Sequence, residues 1–208
     1  MTTALDGFTV GFDLDMTLVD SRPGIRAVYD ALSAETGVYI DSALAVSRLG
    51  PPLEVELAHW FPEDRVPVVA DRYRELYPTL GVARCPALPG VHEAVAAVRR
   101  FGGRVIVVTG KHGPNAQLHV DHLRIDVDAV FGTVWAADKG PVLSEHGATV
   151  YVGDHLGDVA GARAAQAVAV AVATGPCPAQ MLQEAGADVV LDDLTAFPAW
   201  LDGHLAAR

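Results

Sequence analysis

Short apolar runs alternate with longer stretches of helical periodicity over most of this chain. Continuous apolar segments at residues 8–12, 104–108, 129–131, 149–152, 167–173 and 188–191 read as strands buried on both faces, as in a parallel sheet. Between most of them, residues 91–101, 115–123, 141–146, 159–165, 179–185 and 196–205 each fit a helix of a few turns, with Gly or Pro at the joints. Strand alternating with helix predicts an α/β fold with a doubly wound, Rossmann-like parallel sheet.

The pattern breaks between Arg22 and about Leu88, where no convincing strand occurs and helical signals run over 24–35, 53–61 and 64–77. This predicts an all-helical cap at residues 21–88, inserted after the first strand, with 1–20 and 89–208 forming the α/β core. Pro51-Pro52 punctuates the insertion, and the stretch from Pro86 to Pro89, ending at Gly90, reads as the return linker. The 208 residues suit one core plus one elaboration, against a domain mode of about 100–150 residues.

Composition narrows the function. Half the residues are hydrophobic and 20% are charged, which fits a globular chain. A formal net charge of −11 with no Lys/Arg cluster disfavours a nucleic-acid partner. Cys85 and Cys177 lie far apart without metal-type spacing and read as ordinary reduced thiols. No basic segment followed by an apolar run opens the chain, and no apolar run approaches the roughly 20 residues of a membrane span, so a cytoplasmic protein is expected, without membrane partners. The oligomeric state is left open.

Three strand ends carry polar residues that a purely structural sheet does not need. Asp13 and Asp15 follow the first strand, Thr109-Gly110-Lys111 the second, and Gly153-Asp154 the run at 149–152, with Asp158 one helical turn later; Lys139 precedes the helix before that run. In open parallel α/β sheets ligands bind outside the carboxyl ends of the strands. Two carboxylates two residues apart suggest a metal and an acid/base pair, hence an enzyme.

Together these motifs resemble those of haloacid dehalogenase-superfamily phosphohydrolases, specifically the phosphoglycolate phosphatase-like branch with a helical cap. Asp13-Leu14-Asp15-Met16-Thr17 is similar to the family's first motif, Thr109 to the second, Lys139 to the third, and Gly153-Asp154 with Asp158 to the fourth; Pro89-Gly90-Val91 also resembles that branch. The resemblance implies an Mg²⁺-dependent phosphatase acting on a small phosphorylated metabolite, phosphoglycolate among the candidates. It makes Asp13 the nucleophile that forms an aspartyl-phosphate and Asp15 the general acid/base. Thr109, Gly110 and Lys139 are the implied phosphoryl contacts. Mg²⁺ is the implied cofactor, held by the Asp13 carboxylate, the Asp15 backbone carbonyl and the Asp154 carboxylate, with Asp158 in support. Four aspartates in one crevice would repel by about 4 kcal/mol per pair of unit charges about 4 Å apart at an effective dielectric of about 20, so protons or a cation must relieve them. Thr109, Lys139 and the N–H groups near Leu14 and Gly110 are the expected donors to the phosphoryl oxygens.

Simpler readings stay open. Asp15, Asp20 and Asp154 also suit turns or helix caps, Thr17 and Thr109 also suit tight turns, and Lys139 and Asp158 could be solvated surface groups. His112, His119 and His122 read as surface helix positions. In the cap, Arg22, Arg48, His59, Arg72 and Arg74 are candidate contacts for an anionic tail, or a solvated face. Three departures from the family pattern stand out: a short interval from Lys139 to Asp154, Gln166 where glycine is frequent, and Met16 where glycine is frequent. A phosphomutase of the same architecture is the alternative enzyme reading. A receiver-like phosphoryl-binding signalling protein is the alternative from another class.

Overall fold

A computed structural model of the chain describes residues 7–207. Its centre is a six-stranded sheet of β1 (Thr9–Phe12), β2 (Arg104–Val108), β3 (Ala129–Phe131), β4 (Ala148–Gly153), β5 (Val168–Val172) and β6 (Val189–Leu191). All strand pairings are parallel and the order is β3-β2-β1-β4-β5-β6. Winding runs outwards from β1 in one direction and from β4 in the other. The β1/β4 boundary is therefore the topological switch point, where crevices form in such sheets.

The strands are apolar on both faces because both faces are covered. Along β2, Val105 and Val107 enter the apolar cluster shared with α5 (Val91–Arg100) and α10 (Phe197–Ala206). Ile106 and Val108 enter the opposite cluster, with Leu143 of α7 (Lys139–Glu145) and Val159 of α8 (Leu156–Ala164). The remaining helices of this part are α6 (Gly113–Leu123) and α9 (Ala179–Glu184). Gly11 sits mid-β1 because a Cβ there would come within 2.8 Å of the Tyr151 ring. That clearance lets Tyr151, on β4, lie across β1.

Between β1 and α5 run α1 (Arg22–Thr36), α2 (Ser42–Val46), α3 (Leu53–Leu57) and α4 (Val66–Leu80). Their apolar faces close on a separate cluster that includes Val28, Tyr29, Leu32, Leu57, Val69 and Tyr77. Three boundaries differ from expectation for local reasons. The helix expected over 53–61 stops at Leu57, since Pro62 disfavours helical geometry at the residue before it; the N–H groups of Trp60 and Phe61 both turn back to the Leu57 carbonyl. The helix expected over 64–77 starts two residues later, with Pro67 in its first turn, and runs on past Pro78. Pro78 has no N–H for the Arg74 carbonyl, and the Asn115 Nδ2 of α6 donates to that carbonyl instead at 3.4 Å. The five-residue α2 has no counterpart in the sequence pattern; Asp41 caps it by accepting from the Leu44 N–H at 2.9 Å.

Met16 and Gln166 adopt φ of 62° and 57°, the left-handed conformation for which glycine is the usual choice. No helix among the described residues is long and apolar enough to cross a membrane.

Candidate active site

Asp13 is the first residue beyond β1, fixed by its N–H to the Val152 carbonyl at 2.8 Å. The chain then folds over itself: the Leu14 carbonyl accepts from Leu18 (2.9 Å) and Val19 (3.0 Å), and the Met16 N–H reaches the Val19 carbonyl at 2.8 Å. This tight loop points Asp13 and Asp15 at different partners. Asp13 Oδ1 accepts from Lys139 Nζ at 2.8 Å, and Asp15 Oδ1 from Lys111 Nζ at 2.9 Å.

Lys139 opens α7 and is 1% exposed. Its ammonium donates to Asp13, to Asp158 Oδ1 at 2.6 Å and to the Tyr151 hydroxyl at 2.8 Å, which uses all three N–H groups. The Tyr151 hydroxyl in turn donates to the Val108 carbonyl at 2.6 Å. Asp158 lies in the first turn of α8, where Oδ2 accepts from the His155 N–H at 3.0 Å and completes a capping box. That role is why α8 begins at Leu156, three residues ahead of the expected start. Asp154 ends β4. Its Oδ1 accepts from the Thr17 hydroxyl at 3.0 Å, and a Cβ on Gly175 would fall 1.7 Å from its Oδ2, so only glycine fits beside it.

Asp13, Asp154 and Asp158 each offer an oxygen within 4.8 Å of the others. All three are buried, and among the described residues Lys139 is the one cation paired with any of them, at Asp13 and Asp158. Burial pushes the Asp13 carboxyl up to about 7, against the pull of Lys139 and with the push of Asp158. Asp154 is driven up more strongly by burial, then by the Asp158 and Asp13 charges. With all three ionised the cluster would carry more negative charge than Lys139 offsets, and the raised Asp13 and Asp154 values reflect that cost. Its ligands are all oxygen, so a hard divalent cation fits it.

Asp15 behaves differently. Burial pushes its carboxyl up, but the Lys111 ammonium outweighs this and holds it below the usual carboxylate range. Thr109 is buried at the end of β2, where its N–H donates to the Phe131 carbonyl at 2.9 Å and its Oγ1 accepts from the Lys111 N–H at 3.2 Å. Among the described residues, the Leu14 and Gly110 N–H groups pair with no other group.

The residues selected from sequence therefore converge, with two refinements. Asp15 turns its carboxyl to Lys111, away from the other three aspartates. The short interval after Lys139 does not prevent its contact with Asp13. Lys111, Thr17 and Tyr151 carry contacts although none was among the site residues selected from sequence; the position of Lys111 directly after Thr109-Gly110 was its available signal. His119 corrects the surface reading, since it is buried and its Nε2 lies 3.0 Å from the Tyr77 hydroxyl. Of the candidate cations in the helical insertion, Arg22 pairs with Asp20 (2.8 Å), Arg72 with Glu35 (2.8 Å), and His59 is exposed. Arg48 and Arg74 line a cavity beside Asp15 and Lys111.

A buried lysine gripping carboxylates at the switch point of a doubly wound sheet defines an α/β enzyme built around an acidic crevice. The chain belongs to the haloacid dehalogenase-like hydrolases, whose family model matches residues 10–175. A phosphoglycolate phosphatase from Caulobacter vibrioides is 25% identical over 225 residues, covering 93% of this chain and 90% of that protein. Two solved structures share the fold. A structure described as a predicted phosphatase from Clostridium acetobutylicum has a TM-score of 0.82 at 21% identity, covering 94% of this chain and 98% of that one. A haloacid dehalogenase-like hydrolase from Streptococcus pneumoniae has a TM-score of 0.81 at 23% identity, covering 95% and 98%.

Proposed function

We propose that this hydrolase is an Mg²⁺-dependent phosphatase that cleaves a small phosphorylated metabolite through an aspartyl-phosphate on Asp13. The observation that carries the reading is the division of labour between two aspartates two residues apart, one held by buried Lys139 and the other by Lys111. The phosphatase name of the Caulobacter relative supports it.

In this reading an Asp13 carboxylate oxygen attacks phosphorus, and the bond from phosphorus to the substrate's ester oxygen breaks. Asp15 gives that oxygen a proton, and the alcohol departs. Asp15 then takes a proton from water as the water oxygen attacks the phosphoryl group, which restores Asp13 and releases phosphate. Lys111 keeps Asp15 ionised in the resting chain; the incoming phosphate's negative charge opposes that and favours the protonated acid. Thr109 and the free N–H groups of Leu14 and Gly110 donate to the phosphoryl oxygens, while Lys139 holds Asp13 in its attacking position. Asp13, Asp154 and the Asp15 carbonyl would hold Mg²⁺, with Asp158 orienting the site through its bonds to Lys139 and His155. When bound, the cation supplies positive charge that offsets the acidic cluster and the phosphate.

Residues 21–88 act as the cap and 1–20 with 89–208 as the catalytic core, so that α1–α4 cover the crevice and shield the reaction from water. Phosphoglycolate enters as one candidate substrate through the relative's name.

The test is phosphate release from a panel of phosphorylated metabolites with and without Mg²⁺, beside Asp13→Asn. Metal-dependent release that falls by about 10³-fold or more in the variant is expected. Undiminished release from Asp13→Asn would sink the nucleophile assignment, and transfer to a second hydroxyl without phosphate release would make the enzyme a mutase.

A further inference from the structure

The cavity beside Asp15 carries information about the alcohol that leaves. It measures about 140 Å³ and lies where α1–α4 face the strand ends. Asp15 and Lys111 line it together with Tyr29, Leu53, Tyr73 and Trp135. Asp13 does not line it. A phosphoester reacting between Asp13 and Asp15 therefore directs its alcohol portion into this space.

The charges around the cavity cancel in pairs. Arg48 bonds Glu56 at 2.6 Å, and Glu56 also accepts from Trp60 Nε1 at 3.0 Å. Arg74 pairs with Glu54 and, at 3.0 Å, with Asp71. Lys111 is committed to Asp15. Burial, followed by the Arg74 charge, holds His112 towards its neutral form. A carboxylate entering here would meet Glu54 and Glu56, with the Arg48, Arg74 and Lys111 charges each already paired to a carboxylate, and a buried carboxylate without a charge to match it is strongly disfavoured. Arg74 Nε and His112 Nδ1 are buried without partners among the described residues, and the Arg74 N–H is a donor that an ether, carbonyl or ring nitrogen satisfies. The space also has a size: apolar cavities of about 150 Å³ take up one benzene-sized molecule.

We infer that the leaving group is an uncharged alcohol with one ring-sized, mainly apolar body, so that the substrate is a phosphomonoester of that class and not one with a short anionic tail. This rests on the phosphatase reading above, and it ranks phosphoglycolate low.

The deciding experiment compares kcat/KM for benzyl phosphate and phosphoglycolate in Mg²⁺, in the wild type and in Glu56→Gln. A preference of at least about tenfold for benzyl phosphate is expected, the scale on which apolar pockets discriminate. Glu56→Gln keeps an acceptor for Trp60 while releasing the Arg48 charge, and should narrow that preference by improving phosphoglycolate turnover several-fold. A wild type that favours phosphoglycolate overturns the inference and leaves the phosphatase reading intact. If neither ester releases phosphate, that reading fails, and calorimetric binding of benzylphosphonate against phosphonoacetate still decides: tighter benzylphosphonate binding supports the cavity assignment, and tighter phosphonoacetate binding overturns it.

Discussion

Two buried side chains show how environment sets charge in this protein. Lys139 keeps its ammonium charged, since carboxylates and a hydroxyl offset the cost of burying it; its pKa is raised despite the burial that alone would lower it. His119 has the Tyr77 hydroxyl but, among the described residues, no paired carboxylate, and goes the other way. Burial, with the Lys111 charge next, pushes its imidazole down to about 4 from 6.5. Unfolded chains bind this proton near 6.5 and folded ones only near 4, so the associated stability is full above about pH 6.5 and is lost as pH falls towards about 4, by up to about 3 kcal/mol. His119→Gln keeps a polar partner for the Tyr77 hydroxyl and cannot gain the charge. Urea midpoints measured at about pH 7 and about pH 4.5 should therefore separate less in the variant than in the wild type, and equal separation would refute the assignment.

Among the elements, the loop between α2 and α3 has an exacting geometry at Gly50. Gly50 adopts φ 135°, and a Cβ there would meet the His155 ring at 2.6 Å. The His155 ring also packs on Trp135, at 5.2 Å between centroids, so this loop rests on the rim of the cavity. Gly50→Ala should lower stability by about 1–3 kcal/mol, the range for a strained backbone position. Under the proposed function it should also raise KM more than it lowers kcat, which steady-state kinetics on any accepted phosphoester would show; unchanged KM would separate the loop from substrate binding. Long elements were legible in the sequence, because the strands bury both faces and α5 and α10 repeat with helical period. The five-residue α2 was not, since tertiary packing and one Asp cap hold it. The same division applies to the site. Asp13, Asp15, Asp154 and Lys139 stand in local motifs. The contacts of Thr17, Tyr151 and Lys111 depend on chain segments far away in sequence, which no local pattern encodes.

For the molecule as a whole, the acid cluster resists full ionisation unless a cation joins it, so an ion bound there adds to stability by mass action. Mg²⁺ at about 100 times its dissociation constant should stabilise the folded state by about 2.7 kcal/mol, which for a chain of this size raises Tm by about 5–10 °C. Thermal melts with and without Mg²⁺ check this, and Asp154→Asn should lose most of the increment. An equal shift in that variant would place the ion elsewhere.

β1 pairs with β2 and β4, and both of those strands come from the second half of the chain. A ribosome therefore delivers Asp13 and Asp15 well before Lys139, Asp154 and the strand that carries Tyr151. The growing polypeptide holds its first aspartates in water, with ordinary acidity and no cluster to repel. The acid cluster comes together only once β4 and the start of α8 have been made, so a product interrupted earlier lacks it.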